Sequence, residues 1–284
     1  MWFVAALLSA LIFGLAGFTM KFGSTRHAAL NHLLFGLYLS GSMGFAFIMA
    51  VDGKFSLNGW LILAGLVVGI GSTWGNWLFM KALELGPASL TSPFVNLNIV
   101  WVVIMSVWVY DEVLSVFEVA AILLLVVAVS LLPLDPQESL SIRDRRWYGL
   151  VFLATLLFFL RNGGLKITEE WDLNNTLVLF YAYLFGTLWS WWMMKREQRG
   201  FDDDNRLTRF GFYCGMVAGI FSFAGMQLYA HALSTGPASI VSPVFATNSM
   251  VVAILSVWLL RERLSLLQVG ALTCVMAGIV MLRV

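Results

Sequence analysis

The chain repeats itself. Residues 86–134 read GPASLTSPFVNLNIVWVVIMSVWVYDEVLSVFEVAAILLLVVAVSLLPL, and residues 236–284 read GPASIVSPVFATNSMVVAILSVWLLRERLSLLQVGALTCVMAGIVMLRV. The two stretches align without a gap, and about a third of their positions are identical. A shared apolar bias accounts for matched Leu and Val. It does not account for GPAS, SP, SVW and LS recurring at fixed spacing. Upstream, Gly65-Leu-Val-Val-Gly69 pairs with Gly215-Met-Val-Ala-Gly219, and Gly75 pairs with Gly225. Trp2 to Lys21 and Trp147 to Lys166 share one spacing. A repeat of this length sets the architecture before any single residue is weighed. One unit is 1–134 and the other 147–284, joined by the polar linker DPQESLSIRDRR at 135–146.

Each unit holds five apolar stretches. They are Trp2–Met20, Leu30–Ala50, Trp60–Met80, Ala88–Val109 and Ser115–Leu134, then Trp147–Leu165, Thr176–Met194, Phe210–Leu233, Ala238–Leu259 and Ser265–Leu282. Each is close to the roughly 20 residues that span a bilayer as a helix. With 60% hydrophobic and only 12% charged residues, a soluble fold has nowhere to put this surface. The expectation is an all-α integral membrane protein of ten transmembrane helices. Five is odd, so the second unit enters the membrane from the opposite side. The units then form inverted repeats, an arrangement typical of alternating-access transporters. The first segment is too long for a signal h-region and is read as a retained helix.

Charge sets the expected orientation. Lys21, Arg26, Lys81, Arg143, Arg145, Arg146, Lys195, Arg196, Arg199, Arg206, Arg209, Arg261 and Arg263 fall on one side, against Lys54, Lys166 and Arg283 on the other. Basic loops stay cytoplasmic. Both termini of this multi-pass cell-membrane protein are therefore expected outside the cytoplasm, with the linker inside.

The pattern A-L-x-x-G-P-A-S-x-x-S-P, at Ala82–Pro93 and Ala232–Pro243, resembles the EamA-like group of the drug/metabolite transporter superfamily. So does S-V-W…x-E-x-L-S, at Ser106–Ser115 and Ser256–Ser265. The resemblance spans essentially the whole chain and implies a ten-helix carrier. It leaves the substrate open, since similar members move amino acids, sugars, nucleotide-linked compounds, amines or drugs. Bacterial relatives are generally drawn with both termini in the cytoplasm, opposite to the charge-based orientation here.

Several repeated residues read as structure. Gly86 and Gly236 suit helix ends in the left-handed conformation. Pro87 and Pro237 suit the first helical position, where no amide donor is needed. Ser115-x-x-Glu118 and Ser265-x-x-Gln268 read as capping boxes. The paired GxxxG motifs read as close helix contacts. Cys214 and Cys274 read as small buried hydrophobes.

The remaining residues are site candidates. Pro93 and Pro243 fall inside apolar stretches and are read as hinges. Asn98 and Asn248 follow five residues on, at mid-span depth, where an amide needs a partner. Trp101 lies one turn further. Asn76, Trp77 and Lys81 on the third helix, with Gln227, Tyr229 and His231 on the eighth, supply a polar wall. Arg161 sits deep in the sixth span, where a cation is costly unless compensated. An arginine among amides and tryptophans favours a molecule with a carboxylate or phosphate and an apolar body.

No Asp or Glu lies deep in a span. Small multidrug exporters of the superfamily use such a carboxylate to exchange protons for cations, so that mechanism is disfavoured here. Gly-x-Ser-x-Gly, His-Glu-x-x-His and clustered Cys/His are absent from the sequence, which argues against an enzyme. The leading expectation is export of an amino-acid-like or other organic anion or zwitterion. The alternatives are a carrier of neutral or cationic amines and drugs, or a channel. The expected partners are a small-molecule substrate and lipid, with no nucleic acid, metal or cofactor. A monomer suffices, and a dimer is compatible.

Overall fold

The structure, a computed structural model, describes residues 1–53, 55–85, 91, 94–131, 144–197, 205–260 and 265–282. Among these residues the regular elements are all helices. They are α1 Trp2–Thr25, α2 Leu30–Asp52, α3 Gly59–Leu85, α4 Asn98–Val109, α5 Val116–Leu131, α6 Arg146–Glu170, α7 Asn175–Glu197, α8 Asn205–Thr235, α9 Ala238–Ala246, α10 Asn248–Leu260 and α11 Leu266–Met281.

Seven stretches are long and apolar enough to cross a membrane, Ala238–Leu260 being taken as one of them. Three shorter apolar helices, Phe94–Val109, Val116–Leu131 and Val269–Met281, accompany them. These three are the described parts of the fourth, fifth and tenth expected spans, and residues 86–90 and 132–134 lie outside the described residues. Part of the fourth, including Pro93, lies outside the described residues.

Packing runs across the halves rather than within them. The chief neighbours of α1 are α8 and α10, and those of α2 are α8 and α7. For α3 they are α6 and α7, and α5 packs on α11. Contacts between α1 and α2, or between α6 and α7, are slight by comparison. The pairing is symmetric, because α1 on α8 mirrors α6 on α3, and α2 on α8 mirrors α7 on α3.

Glycines make this packing possible. A Cβ on Gly65 would lie 3.0 Å from the carbonyl oxygen of Val178, and one on Gly69 would lie 2.9 Å from that of Ala182. In the other half, Gly215 and Gly219 meet the backbone carbonyls of Leu33 and Leu37. Both GxxxG motifs are therefore surfaces where two backbones touch, as the small-residue rule for helices in lipid anticipates.

The α2–α7 crossing lies on the pseudo-two-fold axis. Gly41 faces the ring of Tyr183, while Gly186 faces the ring of Tyr38, and the two tyrosine rings meet edge-on at 5.5 Å. Position 38 opposes 186 and position 41 opposes 183, so the two helices run antiparallel. Each is the second helix of its half. The second repeat is therefore inverted relative to the first.

Two expectations about caps need correction. Gly236 is not left-handed; among the described glycines only Gly53 is, at φ 63°, closing α2. Gly236 is small for another reason, since a Cβ there would sit 2.5 Å from the ring of Trp2. Pro237 is the N-cap of α9 rather than its first helical residue. Its carbonyl accepts from the Ile240 and Val241 amides. The first capping box forms as expected, with Ser115 N–H donating to Glu118 Oε2 at 2.7 Å and Glu118 N–H donating to Ser115 Oγ at 3.2 Å. Gly86, Pro87 and the side chain of Gln268 lie outside the described residues.

Candidate functional site

Among the described residues, the fourth and ninth apolar stretches break at matching places. Leu97 N–H donates to Phe94 C=O and Val100 N–H to Leu97 C=O. Thr247 N–H donates to Val244 C=O and Met250 N–H to Thr247 C=O in the same way. These tight turns separate α9 from α10 and precede α4. At each turn an asparagine amide supplies a local donor. Asn98 Nδ2 donates to Val95 C=O at 2.7 Å, and Asn248 Nδ2 donates to Phe245 C=O at 2.8 Å. Pro243 lies inside α9, one turn ahead of its break.

The two asparagines then differ. Asn98 is 5% exposed, and its Oδ1 accepts from Asn162 Nδ2 on α6 at 2.8 Å. Asn162 Oδ1 in turn accepts from Arg161 Nε at 3.0 Å. A polar chain thus runs from the break in the first half to the arginine in the second. The counterpart of Asn162 on α1 is Gly17, which has no side chain to offer, and a Cβ on nearby Gly14 would lie 2.8 Å from the Asn248 carbonyl oxygen.

Arg161 sits at the centre of this arrangement. Its guanidinium lies 4.7 Å from the Phe158 ring centroid and 5.6 Å from that of Phe13. The hydroxyls of Tyr38, Tyr183 and Tyr229 lie in its neighbourhood. Those hydroxyls are held in place. Tyr38 OH bonds Ser72 Oγ at 3.1 Å, and Tyr183 OH bonds Ser222 Oγ at 2.6 Å. Tyr229, fully buried, bonds Ser242 Oγ at 2.9 Å and stacks on Phe245 at 4.3 Å. Asn76 Nδ2 donates to Tyr38 OH at 2.9 Å.

No carboxylate pairs with Arg161 among the described residues. A guanidinium carries five N–H donors, and among the described residues only the Nε–H of Arg161 has a hydrogen-bond partner. The chemistry on offer is one fixed positive charge, aromatic walls and hydroxyls.

The structure thus brings Arg161, Asn98, Asn76 and Tyr229 together. The other sequence candidates stand elsewhere. Trp77 packs edge-on against Trp189. Gln227 Nε2 donates to Thr176 Oγ1 at 2.9 Å on α7. Lys81 is half-buried near the end of α3, and His231 is exposed. Trp101 is 51% exposed on α4. Sequence reasoning missed Tyr38, Tyr183, Ser72, Ser222, Phe13 and Asn162's second bond. A signal for the tyrosines was present in Tyr38-Leu-Ser-Gly41 and Tyr183-Leu-Phe-Gly186, which match at an offset of 145 rather than 150.

A second polar cluster lies near one mouth. Glu112, from the loop after α4, accepts from the Ala238 and Ser239 amides at 2.9 Å and from Ser239 Oγ at 2.6 Å. Lys166 Nζ lies 3.3 Å from Glu112 Oε1 and 2.5 Å from Glu170 Oε1. Burial alone would raise the Glu112 carboxyl, but the Ser239 and Ala238 donors and the Lys166 ammonium together hold it below the usual carboxylate value. A pocket of about 480 Å³ opens beside it, lined by Lys166, Glu169, Glu170 and residues 233–237.

The family model of EamA-like transporters matches residues 1–134 and again 145–284. The chain belongs to the EamA-like transporter family. It is a multi-pass membrane protein, and membership makes it a transporter of small molecules. No curated protein matches it significantly. One solved structure, titled only as the crystal structure of a protein, superposes with a TM-score of 0.78 at 12% identity. The match covers 100% of this chain and 98% of that one, so the two share one fold over essentially their whole lengths.

Proposed function

We propose that this EamA-like transporter carries a small organic anion or zwitterion with an apolar body, gripping its carboxylate or phosphate with Arg161. That Arg161 has no carboxylate partner among the described residues is the observation that supports this reading. A cation this deep in a span needs an opposite charge, and a substrate that supplies one is recognised by charge-assisted hydrogen bonds. Phe13, Phe158 and Tyr229 offer an apolar lining for the remainder of the molecule. A cationic substrate would meet Arg161 with no acid to offset it.

The carrier works by alternating access between its two inverted halves, across ten membrane crossings. The turns before Asn98 and Asn248 are the natural flexing points, since broken helices beside a central site are typical of such carriers. The Lys and Arg bias supports termini outside the cytoplasm, and we assign the direction as export.

The test is uptake into proteoliposomes, with a panel of carboxylates, amino acids and organic phosphates. Arg161→Gln should lower transport of the preferred substrate at least about tenfold, the size of one charge-assisted bond. Arg161→Lys keeps the charge but loses the flat fork, and should fall between. Undiminished anion transport by Arg161→Gln overturns the reading.

A further inference from the structure

We infer that the cleft between α4 and α5 is a lipid site, holding one acyl chain of a phospholipid whose primary ammonium headgroup is taken by Asp111. The cleft is lined by none of the residues around Arg161, so the assignment stands apart from the substrate reading.

The cleft follows from how the two helices pack. α4 and α5 are consecutive, but α4 lies chiefly on α9 and α6, while α5 lies on α11 and α9. They scarcely touch each other. The gap between them has a volume of about 690 Å³. Apart from Asp111 and Glu112, every residue lining it is Val, Ile or Leu. Several of these stay open to the outside, Ile104 being 40% and Leu123 60% exposed. A continuous aliphatic surface left open in this way marks contact with a membrane or a partner.

The length of the cleft matches one leaflet. Trp108, exposed, and Tyr110, half-buried, stand where α4 ends. Amphipathic rings of this kind sit at the level of the lipid headgroups. Val100, at the far end of the lining, is ten residues before Tyr110. That is about 15 Å of helix. Val126 lies as far into α5, ten residues after Val116. Half of a bilayer's hydrocarbon core is also about 15 Å. A chain that enters at the Trp108 level therefore fills the cleft and stops near the bilayer centre.

Charge at the rim selects the headgroup. Ser106 C=O accepts from the Tyr110 and Glu112 amides at 3.3 and 3.2 Å, which fixes the turn carrying Asp111. Glu112 is already engaged by Lys166 and by the Ala238 and Ser239 amides. Asp111 is exposed, and no cation pairs with it among the described residues. A carboxylate at this level repels an anionic headgroup and forms charge-assisted hydrogen bonds with an ammonium. A primary ammonium brings three N–H donors. A quaternary choline brings none.

The test uses the purified full-length protein, stripped of lipid in detergent. The probes are phosphatidylethanolamine, phosphatidylcholine and phosphatidylglycerol with identical oleoyl chains. Native mass spectrometry reads the lipid retained and the oligomeric state, and no substrate enters the measurement. Wild type should hold phosphatidylethanolamine about tenfold more tightly than phosphatidylcholine, the scale of a charge-assisted hydrogen bond. Asp111→Asn should still bind both but lose the preference. Leu123→Trp, a change at an exposed position that fills the cleft, should lower retention of both severalfold. Melting temperatures should follow the same order, since a ligand of the folded state raises its stability. Equal retention of the two by wild type, tighter retention of phosphatidylglycerol, or a preference that survives Asp111→Asn overturns the headgroup assignment. Retention untouched by Leu123→Trp, or a dimer that this change dissolves, overturns the assignment of the cleft to lipid.

Discussion

Asn98 and Asn248 hold the same place in the two halves but unequal surroundings, so they should fail unequally. Asn98→Leu removes two hydrogen bonds, the 2.7 Å bond to Val95 C=O and the 2.8 Å bond from Asn162. It also leaves the Asn162 amide, on a residue only 5% exposed, without its acceptor. An orphaned buried donor costs about 1–3 kcal/mol and a simple lost bond about 1, so the sum is about 2–4 kcal/mol. Asn248→Leu removes one bond, to Phe245 C=O, from a half-buried site. That should cost about 1 kcal/mol. Thermal unfolding of detergent-solubilised protein, followed by the loss of the monodisperse peak on size exclusion, compares the two. Transport adds a second reading. Asn162 Oδ1 holds Arg161 Nε, so Asn98→Leu should also weaken substrate affinity, while Asn248→Leu should change it little. Equal losses in both variants, or a larger one from Asn248→Leu, would refute the idea that the polar chain to Arg161 distinguishes the halves.

Gly41→Ala and Gly186→Ala should each abolish folded protein or sharply reduce its yield, because the new Cβ meets a buried tyrosine ring at 2.3 and 2.5 Å. Gly270→Ala, with nothing within 4 Å, should instead stabilise α11 by about 1 kcal/mol, as glycine-to-alanine does inside a helix. Glu112 is held below its ordinary value of 4.5, so its contribution to stability is full above that pH and is lost as pH falls through the lowered value. The melting-temperature difference between the wild type and Glu112→Gln should therefore shrink on acidification below about pH 4.5 and hold steady from there to neutral. Glu118→Ala removes half of a formed capping box and should cost about 0.5–1 kcal/mol, read by the same unfolding assay.

The repeat, the helical class and the membrane habitat are all legible from residues whose role is local. The Ser115–Glu118 capping box is legible because a helix start has the same chemistry wherever it lies. The GxxxG pairs are legible for a similar reason, since small residues at that spacing have one use in lipid. The centre was harder to read. Arg161 and Asn98 stand out by depth, but their link through Asn162 depends on how α6 crosses α4, which spacing along one helix cannot give. The Tyr38–Tyr183 pair was hidden by register. The first two helices of each half match at an offset of 145, the last three at 150, and the difference falls in the connections between them. Gly236 was misread because a glycine after a helix suggests a left-handed cap, whereas the reason here is a tryptophan ring from the far end of the chain.

The α2–α7 crossing has a further consequence. Reciprocal contacts of the Tyr38–Gly186 and Tyr183–Gly41 kind are what two identical subunits make across an isologous interface. Two separate copies of one half could in principle make that crossing. They could not make the site. Identical subunits would place an arginine on each side of the axis, and two like charges would face each other in the low-dielectric centre. With both halves in one polypeptide, position 161 is arginine while its counterpart on α1 is Ala16. Covalent linkage lets a symmetric scaffold hold a single charge, which is what the proposed grip on a substrate with one charged end requires.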